Sequence, residues 1–412
     1  MANSLSASFA EYWSKRMQMK HYREDVFREI ASFEEEVTLK TGDIVHRPYR
    51  SNLVVNDMGS EGSYSRQDVT DTDESLTINK EKEVSFYVKD LDAIQSDYPT
   101  INKYADDSAS ALSNGIDGDV LSEVANALSV VDDADFGGTS GNGFNLTESN
   151  VFDVFLIAGE KLDRRNAPEE GRFAVLSPQF CRVLKSALVK RESAWGDKIG
   201  ERGYIGMYDN FAIYKSNGVY STYVLSLATT PSDGDTVTLS VPNSEGTRTT
   251  ITFTFKTTLG STAGNVAIGG SADAARANLS ELINAPSTTD AGQVALSAAN
   301  IALLKGITAT NDDTADTLTL TASGKSFVVV GETLTDATDA WTPAKQLQRN
   351  LFGVKGCIDV VIQVKPNIKT KSRDGYIGDD VVSWNVYGKK TFAEGARNMV
   401  DVKIRADQFL AS

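Results

Sequence analysis

A long extended segment, residues 37–88, constrains the fold of this chain more than any other part of the sequence. It leads out through a short apolar strand at 53–55, reverses in a stretch rich in Gly, Asn and Asp, and returns through a strand with alternating apolar side chains. The run KEKE at 80–83 interrupts that alternation with charge on both faces, so the strand cannot lie on a core there. The hairpin is therefore expected to project away from its own domain.

A projecting two-stranded ribbon is marginal in water, because it buries too little surface to offset the entropy lost on ordering. It needs a neighbour to lie on, or else it is a mobile surface loop, and the sequence leaves both interpretations open. On a neighbouring copy, its charged side chains would set the register of the contact. The expected contact residues are Arg50, Asp57, Glu61, Arg66, Asp68, Lys80, Glu81, Lys82 and Glu83.

Composition and charge narrow the class of protein. The 412 residues suffice for two or three domains, and 41% hydrophobic with 24% charged residues is typical of a folded globular protein. The net charge of -15 argues against a protein that coats nucleic acid, since phosphate binding requires an excess of Lys and Arg.

The cysteines and the hydropathy pattern indicate in which cellular compartment the protein is expected. Cys181 and Cys357 are far apart, form no CxxC motif and are expected to be buried thiols. The N-terminal stretch lacks the apolar core of a secretory signal, and no run approaches the ~18 apolar residues of a membrane span. A cytoplasmic, reducing compartment without a membrane span is therefore expected.

Helical and extended periods alternate through the rest of the chain. They predict a basic helical arm at 1–36, helix between 90 and 128, a helix–strand–helix unit at 148–191, and a strand pair around Asp209-Asn210. Further strands are expected at 357–364, 381–387 and 398–405.

Residues 228–344 differ from their surroundings, being rich in Thr, Ser, Ala, Asp and Gly and lacking Tyr and Met. Alternation predicts strands at 235–241 and 249–257, an amphipathic helix at 272–284, and a hairpin from 308–310 to 317–322. This segment is expected to fold alone as an insertion, which requires its two ends to lie close together.

Motifs for catalysis are weak. His21 and His46 lie in no recognisable catalytic context, and Gly378-Asp379-Asp380, although similar to the metal-binding turn of RNA-templated polymerases, is expected to be a plain hairpin turn. Likewise a polar hairpin tip, rather than a calcium loop, is expected for Asp312, Asp313 and Asp316. We therefore expect no enzyme, cofactor or metal site.

Four stretches carry a resemblance to a known family: FREIASFEEEVTLKTGDIVHRPY (27–49), VKDLDAIQSDYPTINKYADDSASALSNGIDGDVL (88–121), RFAVLSP (172–178) and DVVSWNVYGKKTFAEGARNMVDVKI (380–404). They resemble the major capsid proteins of tailed bacteriophages, which have the Hong Kong 97-type fold. The resemblance implies an α+β chain with these parts: an N-terminal arm (1–49), an extended hairpin loop (50–88), a spine helix and connector (89–149) that form the peripheral domain with 366–412, an axial domain (150–227 and 345–365), and an inserted β-rich α+β domain (228–344).

The same resemblance implies a function and partners. Copies of the chain would assemble in the bacterial host cytoplasm into hexamers and pentamers of an icosahedral virion shell around double-stranded DNA, which they would contact only weakly. The expected partners are a portal protein, a decoration protein and a separate scaffolding protein. A separate scaffold is expected because the short arm leaves no room for a built-in one. The main alternative is a tail or decoration protein, since the Thr-rich module also recurs there, and a second is a polymerase-like enzyme using Asp379 and Asp380.

Overall fold

The computed structural model describes residues 25–34, 44–50, 52–60, 62–64, 66–89, 100–190, 206–242, 247–325, 327–372 and 377–409. The predicted helical arm up to residue 24, His21 and the predicted contact residue Glu61 lie outside the described residues. The described part of the chain forms three sheets with helices packed against them.

The first sheet contains the extended segment. Its antiparallel strands are β1 (Ile44–Arg50), β2 (Asp71–Lys89), β15 (Asp359–Ser372) and β16 (Gly378–Lys390), in the order β1-β2-β16-β15. Residues 71–77 of β2 pair with β1, whereas 78–89 pair with β16. We call residues 44–77 the finger, since this hairpin is the part of the segment that pairs only with itself. The edge strand β15 has two register shifts against β16.

The predicted strand at 53–55 is wrong. The regular strand ends at Arg50, and residues 52–59 have no regular secondary structure. The side chain of Leu76 is fully buried against the body, and it fixes the register in which β1 pairs with β2. Strand pairing therefore stops where the chain has no further surface of its own on which to bury apolar side chains.

A long helix packs across the inner face of this sheet. α1 (Phe27–Ile30) and α2 (Thr100–Leu121), which continues as a 3-10 turn to residue 126, lie where the sequence predicted helices. The buried carboxylate of Asp117 in α2 accepts the backbone N–H groups of Val26 and Phe27 at 2.9 and 3.0 Å. Apolar side chains at helical spacing are buried beside α1: Ile116, Val120, Leu121 and Val124.

The expectation that the charged run 80–83 lies in the projecting part is also wrong. These residues pair with 384–387 of β16, inside the four-stranded sheet. The ammonium group of Lys82 lies 3.8 Å from the Asp119 carboxylate of α2, whereas Glu81 and Glu83 are exposed on the outer face. β2 can carry charged side chains on both of its faces here, because Lys82 on the face toward α2 lies beside the Asp119 carboxylate.

The second sheet holds the core that surrounds Phe155. Its strands outside the insertion are β3 (Ser129–Val131), β4 (Arg172–Leu176), β5 (Met207–Tyr208), β6 (Phe211–Lys215), β7 (Tyr220–Ser226), β14 (Leu347–Val354) and β17 (Met399–Arg405). Helices α3 (Val151–Asp163) and α4 (Pro178–Val189) contribute to the same core. The Phe155 ring lies 6.0, 6.1 and 5.2 Å from those of Phe180, Phe211 and Phe352. Ser177 caps α4 by accepting the Phe180 N–H at 3.2 Å, as the strand–Pro–helix pattern predicts.

The insertion contributes the third sheet. Its elements are β8 (Thr236–Pro242), β9 (Arg248–Lys256), β10 (Asn265–Ala267), α5 (Ala272–Asn284), α6 (Ala298–Leu304), β11 (Ile307–Asp312), β12 (Thr317–Ala322) and β13 (Val329–Glu332). The third sheet has the order β10-β9-β8-β13. The two ends of the insertion lie close together, because Thr342 near its end donates its N–H to the carbonyl of Val224, just before its start, at 2.9 Å.

The insertion is not a self-contained unit, which corrects the sequence prediction. β11 and β12 extend the second sheet, giving the order β11-β12-β7-β14-β4-β6-β5. The fully buried side chains of Tyr223 and Leu225 on β7 share one core with the helix and sheet of the insertion. β7 therefore needs the insertion to cover both its edge and its apolar face.

Two glycines in α2 give a matched test of how the insertion meets this helix. A Cβ on Gly118 would lie 2.8 Å from the Cα of Gly324, whereas a Cβ on Gly115 would have no neighbour within 4 Å. We expect Gly118→Ala to cost about 1 to 3 kcal/mol because the two backbones must separate. Gly115→Ala should instead stabilise by about 0.5 to 1 kcal/mol through helix propensity. Urea unfolding checks both values, and equal effects of the two substitutions would contradict the close approach.

Candidate assembly interface

The tip of the finger exposes large apolar side chains. Every described residue between 52 and 70 is exposed except Gln67, which is half-buried. The apolar ones are Leu53, Val54, Val55, Met58, Tyr64 and Val69, and each is at least 66% exposed. Apolar exposure on this scale marks an interaction surface in a soluble protein. Sequence reasoning missed this exposed apolar surface because a Leu-Val-Val run also fits a buried strand.

Local hydrogen bonds give the tip a defined shape. The backbone N–H of Val54 donates to the Gln67 side-chain oxygen at 2.9 Å, and the Gln67 amide donates back to the Val54 carbonyl. Gly59 and Ser63 are joined by a further backbone bond of 2.9 Å. The tip is therefore partly ordered before any contact with another chain, which lowers the entropy lost on binding.

The predicted charged contacts separate into two groups. Arg50, Asp57, Arg66 and Asp68 lie on the finger and are exposed, with Arg50 directly opposite Asp71 across the hairpin. The second group, Lys80, Glu81, Lys82 and Glu83, lies in the sheet of the body, away from the tip. The structure thus brings the first group together with the apolar tip, but not the second.

Charge is segregated on the outer face of the first sheet. Directly paired residues of antiparallel strands share a face, so exposed Glu83 of β2 lies beside Trp384 of β16. On the other side of β16, the ammonium group of Lys369 lies 5.0 Å from the Trp384 ring centroid, and Lys371 follows it along β15. The face therefore carries acids on one side, an aromatic residue in the middle and lysines on the other side.

The joint between α2 and the first sheet contains a partly buried ion pair. The Lys389 ammonium lies 3.1 Å from the Glu123 carboxylate, which also accepts hydrogen bonds from Thr391 and Asn126. Burial acts to raise the pKa of Glu123, but the charge of Lys389 and these hydrogen bonds outweigh it, so the pKa lies below its usual value of 4.5.

This joint makes a prediction about pH. A lowered native pKa means that Glu123 stabilises the fold above pH 4.5, and that this contribution is lost as pH falls through the native pKa. We expect Glu123→Gln to cost about 1 to 3 kcal/mol at neutral pH and to flatten the acid limb of the stability curve. Urea unfolding at a series of pH values measures this. Glu394→Gln, a change of equal charge at an exposed site, is the control, and an unchanged acid limb in Glu123→Gln would contradict the prediction.

Other groups with reactive potential have structural surroundings. The imidazole of His46 lies 2.7 Å from Asp73 on the exposed finger. Burial raises the pKa of Cys181 to about 11 and that of Cys357 to about 12, which suppresses their thiolates at neutral pH. The expected turn at Gly378-Asp379-Asp380 is wrong, because these residues begin β16 and Asp380 pairs directly with Lys371.

The acidic hairpin tip of the insertion surrounds a buried arginine. The Arg276 side chain is fully buried, and its guanidinium donates to Asn311 and Asp316 at 3.1 Å each, and also to the Asp273 carboxylate and the Leu227 carbonyl. The expected polar hairpin tip thus joins β11 and β12, and its Asp316 pairs with a cation supplied by the protein itself. Within the described residues, no group of three or more His, Cys, Asp or Glu is placed to hold a metal ion. No helix among them is both long and apolar enough to cross a bilayer.

Comparison with solved structures identifies the fold. A structure from Mycobacterium phage Che8 matches with a TM-score of 0.58 and 15% identity, covering 97% of this chain and 98% of that one. The capsid structure of cyanophage P-SCSP1u matches with a TM-score of 0.55 and 10% identity, covering 97% and 94%. The capsid asymmetric unit of cyanophage Pam1 gives 0.52 and 10%, covering 98% of both chains. No family profile and no curated protein matches the sequence. The chain has the fold of these phage capsid structures, and the predicted α+β capsid fold is confirmed.

Proposed function

We propose that this chain is the major capsid protein of a tailed bacteriophage and that its copies build an icosahedral shell of hexamers and pentamers around double-stranded DNA. One observation carries the proposal: phage capsid structures match nearly the whole chain. The exposed apolar tip supports it, because such a surface is stable in water when a neighbouring copy covers it.

The proposed assembly uses two kinds of contact, apolar contacts at the tip of the finger and contacts between charged side chains. Burying the apolar tip supplies free energy, at about 1.5 to 3 kcal/mol for each large side chain fully covered. Charged residues select the register and the partner. They are Arg50, Asp57, Arg66 and Asp68 on the finger, together with Glu61, Lys80, Glu81, Lys82 and Glu83. Many such modest contacts add up over a closed shell.

The domain division belongs to the same proposal. Residues 1–49 form the arm, 89–149 with 366–412 the peripheral domain, and 150–227 with 345–365 the axial domain. β15 crosses the last of these boundaries, since it runs from Asp359 to Ser372. Residues 50–77 of the finger correspond to the projecting part of the extended loop 50–88, while most of β1 falls within the arm. The insertion at 228–344 lies on the outer surface of the shell.

The proposed partners are further copies of the chain, a separate scaffolding protein, a portal protein and a decoration protein. Assembly takes place in the bacterial host cytoplasm, and the finished location is the virion capsid. The net charge of -15 suits a container whose wall holds packaged DNA weakly. The proposed role is structural and involves no catalysis.

Electron microscopy of the full chain, co-expressed with the scaffolding protein of its phage, tests the proposal. Closed polyhedral shells built mainly from this chain are the expected result. Dispersed monomers under all assembly conditions, or tubes and rings typical of a tail protein, would overturn it. The variant Asp379→Asn with Asp380→Asn should assemble normally, and loss of a polymerase activity in that variant would favour the enzyme instead.

A further inference from the structure

The root of the finger is joined to the body by the continuation of β2, by the buried side chain of Leu76 and by charged side chains, whereas β1 has no partner strand in the body among the described residues. β1 pairs with β2 alone among the described strands, so a swing of the hairpin needs a bend in β2 only, and the register of β2 against β16 shifts at this root, between Ile78 and Lys80. Arg47 and Glu74 lie directly opposite each other across the finger. Both side chains are half-buried, since they are on the face that meets the body.

Arg47 makes two kinds of contact with the body. Its Nη1 and Nη2 atoms donate to the two carboxylate oxygens of Asp359, at 3.2 and 3.3 Å. Its guanidinium carbon lies 4.4 Å from the centroid of the Phe392 ring. Asp359 and Phe392 are 5% and 3% exposed, so the cation fits a prepared site of fixed geometry. A bidentate pair with a stacked aromatic ring constrains orientation as well as distance.

Glu74 supplies a second point of attachment on the opposite strand. Its carboxylate accepts the backbone N–H of Ala393 at 3.1 Å, where the short helix α7 (Ala393–Arg397) begins. Beside these contacts is a cavity of about 190 Å³, lined by Arg47, Tyr49, Glu74, Asp359, Phe392 and Asn398. The cavity leaves space into which the root could move once the side-chain contacts were broken.

We propose that Arg47, Glu74, Asp359 and Phe392 form a root clamp, which fixes the direction of the finger and thereby selects one shell geometry. This inference rests on the proposed function. Each strand residue advances about 3.3 Å, so a small rotation at the root becomes a displacement of several ångströms at the tip. The apolar tip would then reach a different place on the next copy, and shells of another curvature would result.

The test compares clamp variants with a matched control. Arg47→Gln and Asp359→Asn remove the ion pair, and Arg47→Lys keeps the charge without the bidentate geometry. Lys161→Gln is the control, because it also removes a partly buried ion pair, with Asp135 at 2.6 Å, but one that lies beside the core of the second sheet and away from the finger. Hydrogen exchange on unassembled protein follows β1 and α3 separately, and electron microscopy gives the distribution of particle diameters.

Arg47→Gln and Asp359→Asn should accelerate exchange in β1 about tenfold, leave α3 unchanged, and give mixed diameters or open sheets. Arg47→Lys should be intermediate, and Lys161→Gln should give shells of one diameter. If Arg47→Gln does not fold, Glu74→Ala provides the same comparison. Unchanged exchange in β1, or shells of a single wild-type diameter, would overturn the clamp. A wild-type chain that forms no shells would overturn the proposed function, while the exchange measurement would still decide whether the clamp holds the finger.

Discussion

Replacing Leu53, Val55 and Met58 with serine is expected to abolish shell formation while leaving the stability of the single chain unchanged. These side chains are 73%, 96% and 72% exposed, so the fold gains almost nothing from them, and the change in unfolding free energy should stay within about 0.5 kcal/mol. On a neighbouring copy, the three fully covered side chains together should contribute about 4.5 to 9 kcal/mol at each contact, which corresponds to a loss of more than about 1,000-fold in affinity. Particle yield by sedimentation and electron microscopy, with urea unfolding of the unassembled chain, measures the two effects.

A second triple variant provides the control for the finger. Leu128, Leu156 and Met207 are 52%, 55% and 53% exposed and lie on the body. Their replacement with serine also removes exposed apolar surface, although less of it than in the finger variant, and particle yield should remain close to that of the wild type. Undiminished assembly of the finger variant, or equal losses from both triples, would contradict a special role for the tip.

Arg276→Met is expected to destabilise the single chain strongly, by about 2 to 4 kcal/mol. Methionine keeps most of the packing, but it leaves Asn311 and the Leu227 carbonyl without the donor that now satisfies them. Leu227 follows β7, so the damage should reach the point where the insertion joins the rest of the protein. Urea unfolding followed by tryptophan fluorescence measures the loss, since Trp341 is buried in this core.

The partners of Arg276 provide a graded comparison. Asp273 is 57% exposed, so Asp273→Asn should cost less than about 1 kcal/mol. Arg276→Lys should be intermediate, because an ammonium group cannot reach the same set of oxygens as a guanidinium. Equal effects from Asp273→Asn and Arg276→Met would contradict the assignment of a buried organising cation.

Local signals in the sequence predicted most individual elements. The bounds of α5 agree with its predicted range, because the helical spacing of Ala275, Leu279 and Ile283 is a local feature. The Ser271 side chain, which accepts the Ala274 N–H at the start of the helix, is local as well. The strand pair around Asp209-Asn210 follows equally from turn chemistry, since both residues have positive φ angles, 47° and 62°, which the tight hairpin requires. Such features depend on residues only a few positions apart, and a single sequence is sufficient to reveal them.

Long-range pairing could not be predicted in this way. The alternation of Thr317–Ala322 would fit any partner strand, so nothing local indicates that β12 pairs with β7, almost a hundred residues earlier. Similarly, Asp117 looks like a solvated helix residue, yet it binds the backbone of residues 26 and 27. The charged run 80–83 was assigned to the wrong part of the hairpin because its inner partner, Asp119, lies on another element.

The sequence predicted a projecting hairpin, but not that its tip would expose apolar side chains. Polarity at the centre of a strand indicated a projecting hairpin, and charged residues were therefore chosen as contacts. The apolar tip was missed because exposure depends on what the rest of the chain fails to cover, which no pattern within 53–55 reveals. The root clamp was missed for the related reason that Arg47 and Asp359 are separated by 312 positions.

The edge strand β15 has a consequence for the behaviour of unassembled protein. Beyond the bridge between Ser32 and Asp359, no described strand pairs with the outer edge of β15, and such an edge could template the stacking of chains into fibrils. In β15, however, Pro366 lacks a backbone donor, the two register shifts break the regular spacing of N–H and C=O groups, and exposed Lys369 and Lys371 would oppose the same lysines of a second copy. Unassembled chains can therefore accumulate to high concentration with this edge protected from amyloid-like polymerisation.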